Sequence, residues 1–344
     1  MIDMFSGLMP CLHSPLNTGR IICIDPDGQT EWESPKRLVV TGSHDSNFRV
    51  SSDGADGQGR ATHLRFSGNP AKFLQGHNIF GSDDLVSLMT DVYKKITQSL
   101  RLTPTIQDYK NVVTGNYKVT SIDINYSYEL PSRADVLAWI RAAEFKSKTR
   151  HGRPSTKGGT IYWGKNSSRW ALKAYSKGEE ISAGKGHKLP AALIDTPLTS
   201  WANNKLRFEL RLLSKELDKL NLKTANKINP HTVKNTFNEY IKRLQMTEQI
   251  TLSDEKLHSL PQRLRSTYVL WRDGYDLRSE LPKTTYYRNR KQLLDHNIDI
   301  ALRSENTNKS NVIPLIRVLE AKPASIPNWA YSDSLIHHSA IANC

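Results

Sequence analysis

Four short segments of this chain alternate polar and apolar residues with a period of two. That period casts each as a β-strand with one polar and one apolar face. Phe73–Ile79 puts Gln75 and His77 on a shared face, and Val119–Asn125 aligns Ser121, Asp123 and Asn125. Trp170–Lys177 aligns Lys173, Tyr175 and Lys177, and Leu206–Leu212 aligns Arg207, Glu209 and Arg211. The residues between them are mostly Ile, Leu, Phe and Ala, the side that must be buried.

The stretches between these segments read as helices. Leu85, Leu88, Met89, Val92 and Ile96 recur at helical spacing after Gly81-Ser82, with Ser82 as the expected cap and Asp83 and Asp84 at the positive end. Ser132 is placed to cap a second helix carrying Val136, Trp139, Ile140 and Ala143. Lys146 to Gly159 reads as a basic loop, and Thr160–Trp163 with Trp170–Lys177 as a hairpin. Before Lys72, apolar runs such as Arg20–Ile24 and Arg37–Thr41 read as short strands. Beyond Ser214 the candidates are helices: Lys215–Leu222, Pro230–Leu244, Leu260–Arg272 and a Tyr- and Arg-rich segment after Pro282. The class expected is α+β, an antiparallel sheet covered by helices with a mostly helical C-terminal region. At 344 residues the chain suggests two domains or one with an appendage. We place the boundary between 1–214, carrying the four segments, and 215–344.

Charge narrows the partner. The chain carries net +14, and the window from Arg133 to Lys177 holds eleven Lys or Arg against only Asp135 and Glu144. Such a window favours a polyanion, nucleic acid or an anionic membrane surface, with a solvated charged surface as the ordinary alternative. No apolar run spans a bilayer, so a membrane is not the expected partner. The three cysteines form no CxxC pair, which points to a reducing cytosol, and the first residues lack the basic start of a signal peptide.

The polar faces combine into a candidate nuclease site. Tyr175 between Lys173 and Lys177 is a candidate nucleophile for a phosphate, with the cations favouring the phenolate or the charge building on phosphoryl oxygens. The competing reading is a packed strand tyrosine, one of thirteen in the chain. Asp123 between Ile122 and Ile124, and Glu209 between Phe208 and Leu210, are carboxylates on buried strands, costly unless paired or metal-bound. An ion pair of Glu209 with Arg207 or Arg211, and a partner elsewhere for Asp123, stay open. With an imidazole nitrogen from His77 and an oxygen from Gln75, this mostly oxygen set suits Mg²⁺ or Mn²⁺. The ordinary alternative for His77 is a hydrogen-bonded histidine near the helix start that Gly81-Ser82 marks. Lys146, Lys148, Arg150, Arg153 and Lys157 are candidate phosphate contacts, as are Arg207 and Arg211. Trp163 and Trp170 suit either base stacking or the core. Arg288, Arg290 and Lys291 form a candidate DNA-recognition helix with Tyr286 and Tyr287, or a solvated basic helix.

Lys72–Gly81 closely resembles a signature of the gene II replication initiators of filamentous bacteriophages. The resemblance continues through Ser121-Ile122-Asp123, Leu172–Lys177 and Leu206–Arg211 to Asn311–Arg317 and Pro327-Asn328-Trp329. It implies a rolling-circle nickase related to the HUH endonucleases. Such an enzyme cuts the plus strand at the double-stranded origin, leaves a 3′-hydroxyl primer, and later rejoins the displaced strand. The family's nucleophilic tyrosine falls on Tyr175. The chain departs from the His-hydrophobic-His metal motif of the wider class, its nearest match being Gln75-Gly76-His77. The partners implied are phage replicative-form DNA with its single plus strand, and host helicase and polymerase, in the host cytoplasm. An internal product starting at Met246 is also implied. Two other functions compete: a non-catalytic, sequence-specific DNA-binding regulator, and a tyrosine recombinase, whose Arg- and His-rich helical setting is not seen around Tyr175.

Overall fold

The computed structural model of the chain describes residues 1–16, 19–148, 154–157, 159–183, 188–246, 260–272, 275–302 and 322–337. Its N-terminal third holds strands β1 (Ile2–His13), β2 (Arg20–Ile24), β3 (Thr30–Pro35), β4 (Leu38–Thr41), β5 (Asn47–Asp53) and β6 (Ala61–Gly68). Helices α1 (Pro70–Gln75), α2 (Leu85–Ser99) and α3 (Ile106–Val113) lead into β7 (Lys118–Glu129). Then come α4 (Arg133–Lys146), β8 (Ser147–Lys148), β9 (Ser155–Lys157), β10 (Thr160–Trp163) and β11 (Trp170–Ser176). Helices α5 (Lys177–Ser182) and α6 (Leu198–Ala202) precede β12 (Lys205–Leu213). The rest is α7 (Ser214–Lys219), α8 (Pro230–Ile241), β13 (Gln245–Met246), α9 (Gln262–Arg272), α10 (Leu277–Glu280), α11 (Lys283–Leu294) and α12 (Asn328–Ser332).

Nine strands form one antiparallel sheet in the order β4-β5-β6-β1-β7-β12-β11-β10-β9. The α+β class follows, with the C-terminal region mostly helical. The apolar face is where alternation puts Ile122, Ile124, Leu206, Phe208, Leu210, Leu172 and Ile161, all at most 2% exposed. Trp139 of α4 meets Phe208 edge-on at 5.3 Å, and Phe237 of α8 meets Tyr126 at 4.7 Å. Each such side chain, fully buried, contributes roughly 1.5–3 kcal/mol. Helices α7 and α8 belong to this same core through Leu217, Val233, Phe237 and Tyr240. Helices α9 to α11 gather around a separate cluster including Leu264, Tyr268, Tyr286 and Leu293. A third cluster joins Ile79, Phe80, Ile181 and Leu198 to Ala330, Leu335 and Ile336.

Four expectations change. Phe73–Ile79 is not a strand: Asn69 caps α1 by accepting from the Lys72 N–H at 2.8 Å, Pro70 fills its first turn, and Gly76 ends it at φ 84°. Asn-Pro at the start and Gly at the stop outweigh the period-two pattern. Lys177 is not a strand residue either, because Ser176 caps α5 there. Helix α2 is capped by Asp84 rather than Ser82, whose hydroxyl instead receives the Asp84 N–H at 2.9 Å. The Lys146–Gly159 segment is not all loop, since β8 pairs with β13 and β9 extends the main sheet. Helix α3, which opens on a Thr105/Asp108 capping box, adds an element to those expected.

Candidate active site

Cross-strand register builds the polar face in rows. Ser127 of β7 lies opposite Arg207 of β12, which lies opposite Tyr175 of β11. The next row is Asn125, Glu209, Lys173 and Tyr162, and the one after it pairs Asp123 with Arg211. The spacing argument thus brings Asp123, Glu209, Tyr175, Lys173, Arg207 and Arg211 onto one side of the sheet. A pocket of about 330 Å³ opens beside Tyr175, lined by Lys173, Tyr162, Thr160, Ser176 and Glu180 among others.

Glu209 is the centre of this face. One carboxylate oxygen pairs with Lys173 Nζ at 2.7 Å, and the other lies 3.4 Å from the Tyr175 hydroxyl, which donates to it. Burial, then the charges of Asp3 and Asp123, push the Glu209 carboxyl up to about 8, with Lys173 opposing. Burial would lower the Lys173 ammonium, but Glu209 outweighs it and moves it upward. The cation of the pair is therefore secure, and the proton in play is the carboxyl's. Burial first, then Glu209 and Glu180, hold the Tyr175 phenol well above its ordinary value despite Arg207. This corrects the expectation that flanking lysines favour the phenolate: the charge of Lys173 is spent on Glu209.

Asp123 takes both an Nε and an Nη contact from Arg211, at 3.0 and 2.8 Å. Lys177 is buried at the head of α5, its Nζ 3.0 Å from Asn78 Oδ1 and 2.5 Å from Glu180. Burial, then Arg207, press it down to about 8. Asp3, on β1, is the site residue that sequence reasoning missed. It is 4% exposed and accepts from Asn69 Nδ2 at 2.6 Å and Asn78 Nδ2 at 2.8 Å. Burial would raise its carboxyl, but Arg207, Asn78 and Lys177 hold it below the ordinary carboxylate value. The β1–β7 register shifts between Ile2 and Met4, so Asp3 sits where strict alternation fails. The available signal was the lone acid in an otherwise apolar start, Met1-Ile2-Asp3-Met4.

The expected metal set is not assembled. His77 is 1% exposed and both ring nitrogens are engaged: Nδ1 accepts from the Ile79 N–H at 3.2 Å, so Nε2 donates to the Leu335 carbonyl at 2.6 Å. Gln75 donates to the Phe80 carbonyl at 2.8 Å and accepts from the His337 N–H at 2.9 Å. Among the described residues, no three His, Cys, Asp or Glu side chains are grouped as metal ligands. With Asp123 held by Arg211 and Glu209 by Lys173, the four residues as placed do not fit Mg²⁺ or Mn²⁺.

The candidate DNA contacts divide. Arg207 is buried, donating to Ser127 Oγ at 3.0 Å and to the carbonyls of Asn78 at 2.5 Å and Ile79. Arg290 is fully buried against Asp299 and the Arg141 carbonyl, so it does not face DNA. Its neighbours Arg288 and Lys291 are exposed, and Arg211 is half exposed beside Asp123. Arg150 and Arg153 lie outside the described residues, as do Asn311–Arg317 and the side chains of Lys146, Lys148 and Lys157. Trp163 stacks on Phe208 and donates to Ser147, and Trp170 packs on Tyr240 at 5.0 Å; both are core residues. No described helix is long and apolar enough to cross a membrane.

A helix-backed antiparallel sheet whose largely buried polar face sets Tyr175 beside Glu209 and Lys173 carries the kinds of group that phosphate chemistry uses. Comparison with known proteins gives the family. Residues 1–231 match the N-terminal family model of the phage gene II replication-associated protein, and 252–336 match its C-terminal family model. The chain is 47% identical over 340 residues to the replication-associated protein of Enterobacteria phage I2-2, covering 98% of each. It belongs to the gene II replication-associated protein family of phages.

Proposed function

We propose that this chain initiates rolling-circle replication of a filamentous phage by nicking the plus strand at the double-stranded origin through Tyr175. The carrying observation is the hydrogen bond from the Tyr175 hydroxyl to Glu209, with Tyr175 lining a pocket whose volume of about 330 Å³ exceeds that of a phosphate. Tyr175 Oη attacks phosphorus, the phenol proton passes to Glu209, and the P–O3′ bond breaks. The DNA 3′ oxygen takes up a proton and becomes the primer, while the 5′ phosphate stays on the tyrosine. Lys173, 5.4 Å from the Tyr175 ring centroid and paired with Glu209, stands beside the oxygens that gain charge. Rejoining is the reverse, with a 3′-hydroxyl attacking the phosphotyrosine, so the bond energy is kept and no ATP is needed. The exposed cations, the basic window and the net +14 supply the affinity for replicative-form DNA in the host cytoplasm. Host polymerase then extends the primer as host helicase unwinds the duplex.

The test is cleavage of a supercoiled origin plasmid, with and without Mg²⁺, followed by mass spectrometry of the DNA-linked peptide. The adduct should map to Tyr175, and Tyr175→Phe should abolish it with origin binding intact. An adduct that persists in Tyr175→Phe overturns the assignment. An intact strand under every condition would favour the regulator.

A further inference from the structure

A second pocket, of about 440 Å³, sits where β7 outruns its neighbour. Strand β1 begins opposite Ile124, and Met1 takes both backbone groups of Asn125, its ammonium donating to the Asn125 carbonyl at 2.6 Å and its carbonyl accepting the Asn125 N–H at 2.9 Å. The β7 edge beyond Asn125 therefore has no partner on that side from β1. Residues 322–326 close part of the gap, the Ala324 N–H donating to the Ser127 carbonyl at 2.7 Å. The remaining space is the pocket. Asn125, 1% exposed, lines it, and its side-chain NH₂ has no hydrogen-bond partner among the described residues. Phe80 and Trp201, edge to face at 5.7 Å, supply aromatic walls together with Tyr126. Lys234 of α8 and Lys322 line it from exposed positions.

A buried amide donor calls for an acceptor, the aromatic walls for a flat ring, and the exposed lysines for an anion. We propose that this pocket takes one nucleotide of single-stranded DNA, its base against Asn125 between the aromatic side chains and its phosphate on Lys234 and Lys322. The proposal rests on the nicking assignment only for its substrate class. Arg207 lines the pocket and sits directly opposite Tyr175 in the sheet. The pocket thus lies two strand spacings from the nucleophile, roughly 10 Å, within reach of one DNA strand. A base held here would fix which phosphate meets Tyr175.

The test uses the full chain carrying Tyr175→Phe, so that binding is read without cleavage. Calorimetry with 2′-deoxyadenosine 5′-monophosphate should show a site that inorganic phosphate occupies at least tenfold more weakly. Ser325→Trp, an exposed substitution on the pocket lining, and Lys234→Glu should each weaken the nucleotide tenfold or more with unchanged melting temperature. A hexamer of 5-iodo-deoxyuridine should photocrosslink to Phe80, Tyr126 or Trp201, and Ser325→Trp should suppress the crosslink. Equal binding of phosphate and nucleotide would reduce the site to a cationic patch, and nucleotide binding indifferent to Ser325→Trp would place it elsewhere; either overturns the proposal. Loss of the tyrosine adduct in the cleavage assay leaves these readouts untouched, so the two ideas fail separately.

Discussion

In the proposed reaction Glu209 takes the Tyr175 proton and holds Lys173, and it does both only as the carboxylate. To take the Tyr175 proton it must be ionised, yet burial and the charges of Asp3 and Asp123 raise it to about 8. The ionised fraction therefore grows as pH climbs through 8. Single-turnover nicking should rise tenfold per pH unit below that point and level off above it. Glu209→Gln should remove this limb and slow the step by about 10² to 10⁴-fold, the span of a lost general base. A pH profile still rising through 8 in Glu209→Gln would move the base elsewhere, with Lys177, pressed to about 8, first in line. At the same scale, alternation foretold the shared face of Asp123, Glu209, Tyr175 and Lys173. It misassigned the partner of Glu209, because Lys173 lies across the strand rather than two residues along it.

At the scale of elements, the three strands that carry the site were legible because their apolar faces repeat without interruption. The fourth was not, since the last three residues of a short helix, Phe73 to Gln75, and the Gly76 stop mimic alternation over the same stretch. Asn69 shows what was missed. Its side-chain oxygen caps α1 while its NH₂ holds Asp3, so one residue fixes both the helix start and a buried carboxylate. Asn69→Ala should cost about 2–3 kcal/mol, a lost cap of about 1 together with a charge-assisted hydrogen bond of roughly 1.5–3, the two being less than additive. Asn69→Asp keeps an equally good cap but sets a second carboxylate against Asp3. Urea denaturation should find it at least as unstable as Asn69→Ala. If Asn69→Asp matches the native chain, the contact with Asp3 contributes nothing to stability.

Across the whole molecule, the C-terminal segment is tied to the site by contacts that no local pattern encodes. The Leu335 carbonyl holds His77, the His337 N–H binds Gln75, and the His337 ring reaches Asp91 at 2.9 Å. More than 240 residues separate the partners in each case, so no local spacing foretold that His77 and Gln75 would rest on this segment. Burial, against the Leu335 hydrogen bond and alongside the charges of Lys177 and Arg207, presses the His77 imidazole down to about 4. The unfolded chain takes up this proton near 6.5 and the native chain only near 4, so the unfolded state binds more protons between them. Stability from this group is complete above pH 6.5 and is lost as pH falls through 4, about 3 kcal/mol at roughly 1.4 kcal/mol per unit. His77→Gln should flatten that part of the urea-midpoint profile between pH 6.5 and 4 while leaving the region above 7 parallel to the native curve. An unchanged acid limb in His77→Gln would mean that other groups drive the loss and that His77 titrates normally. Hydrogen exchange should locate the first acid-induced opening at residues 326–337, because protonated His77 must turn its Nδ1 proton on the Ile79 N–H and loosen the loop on which Leu335 rests.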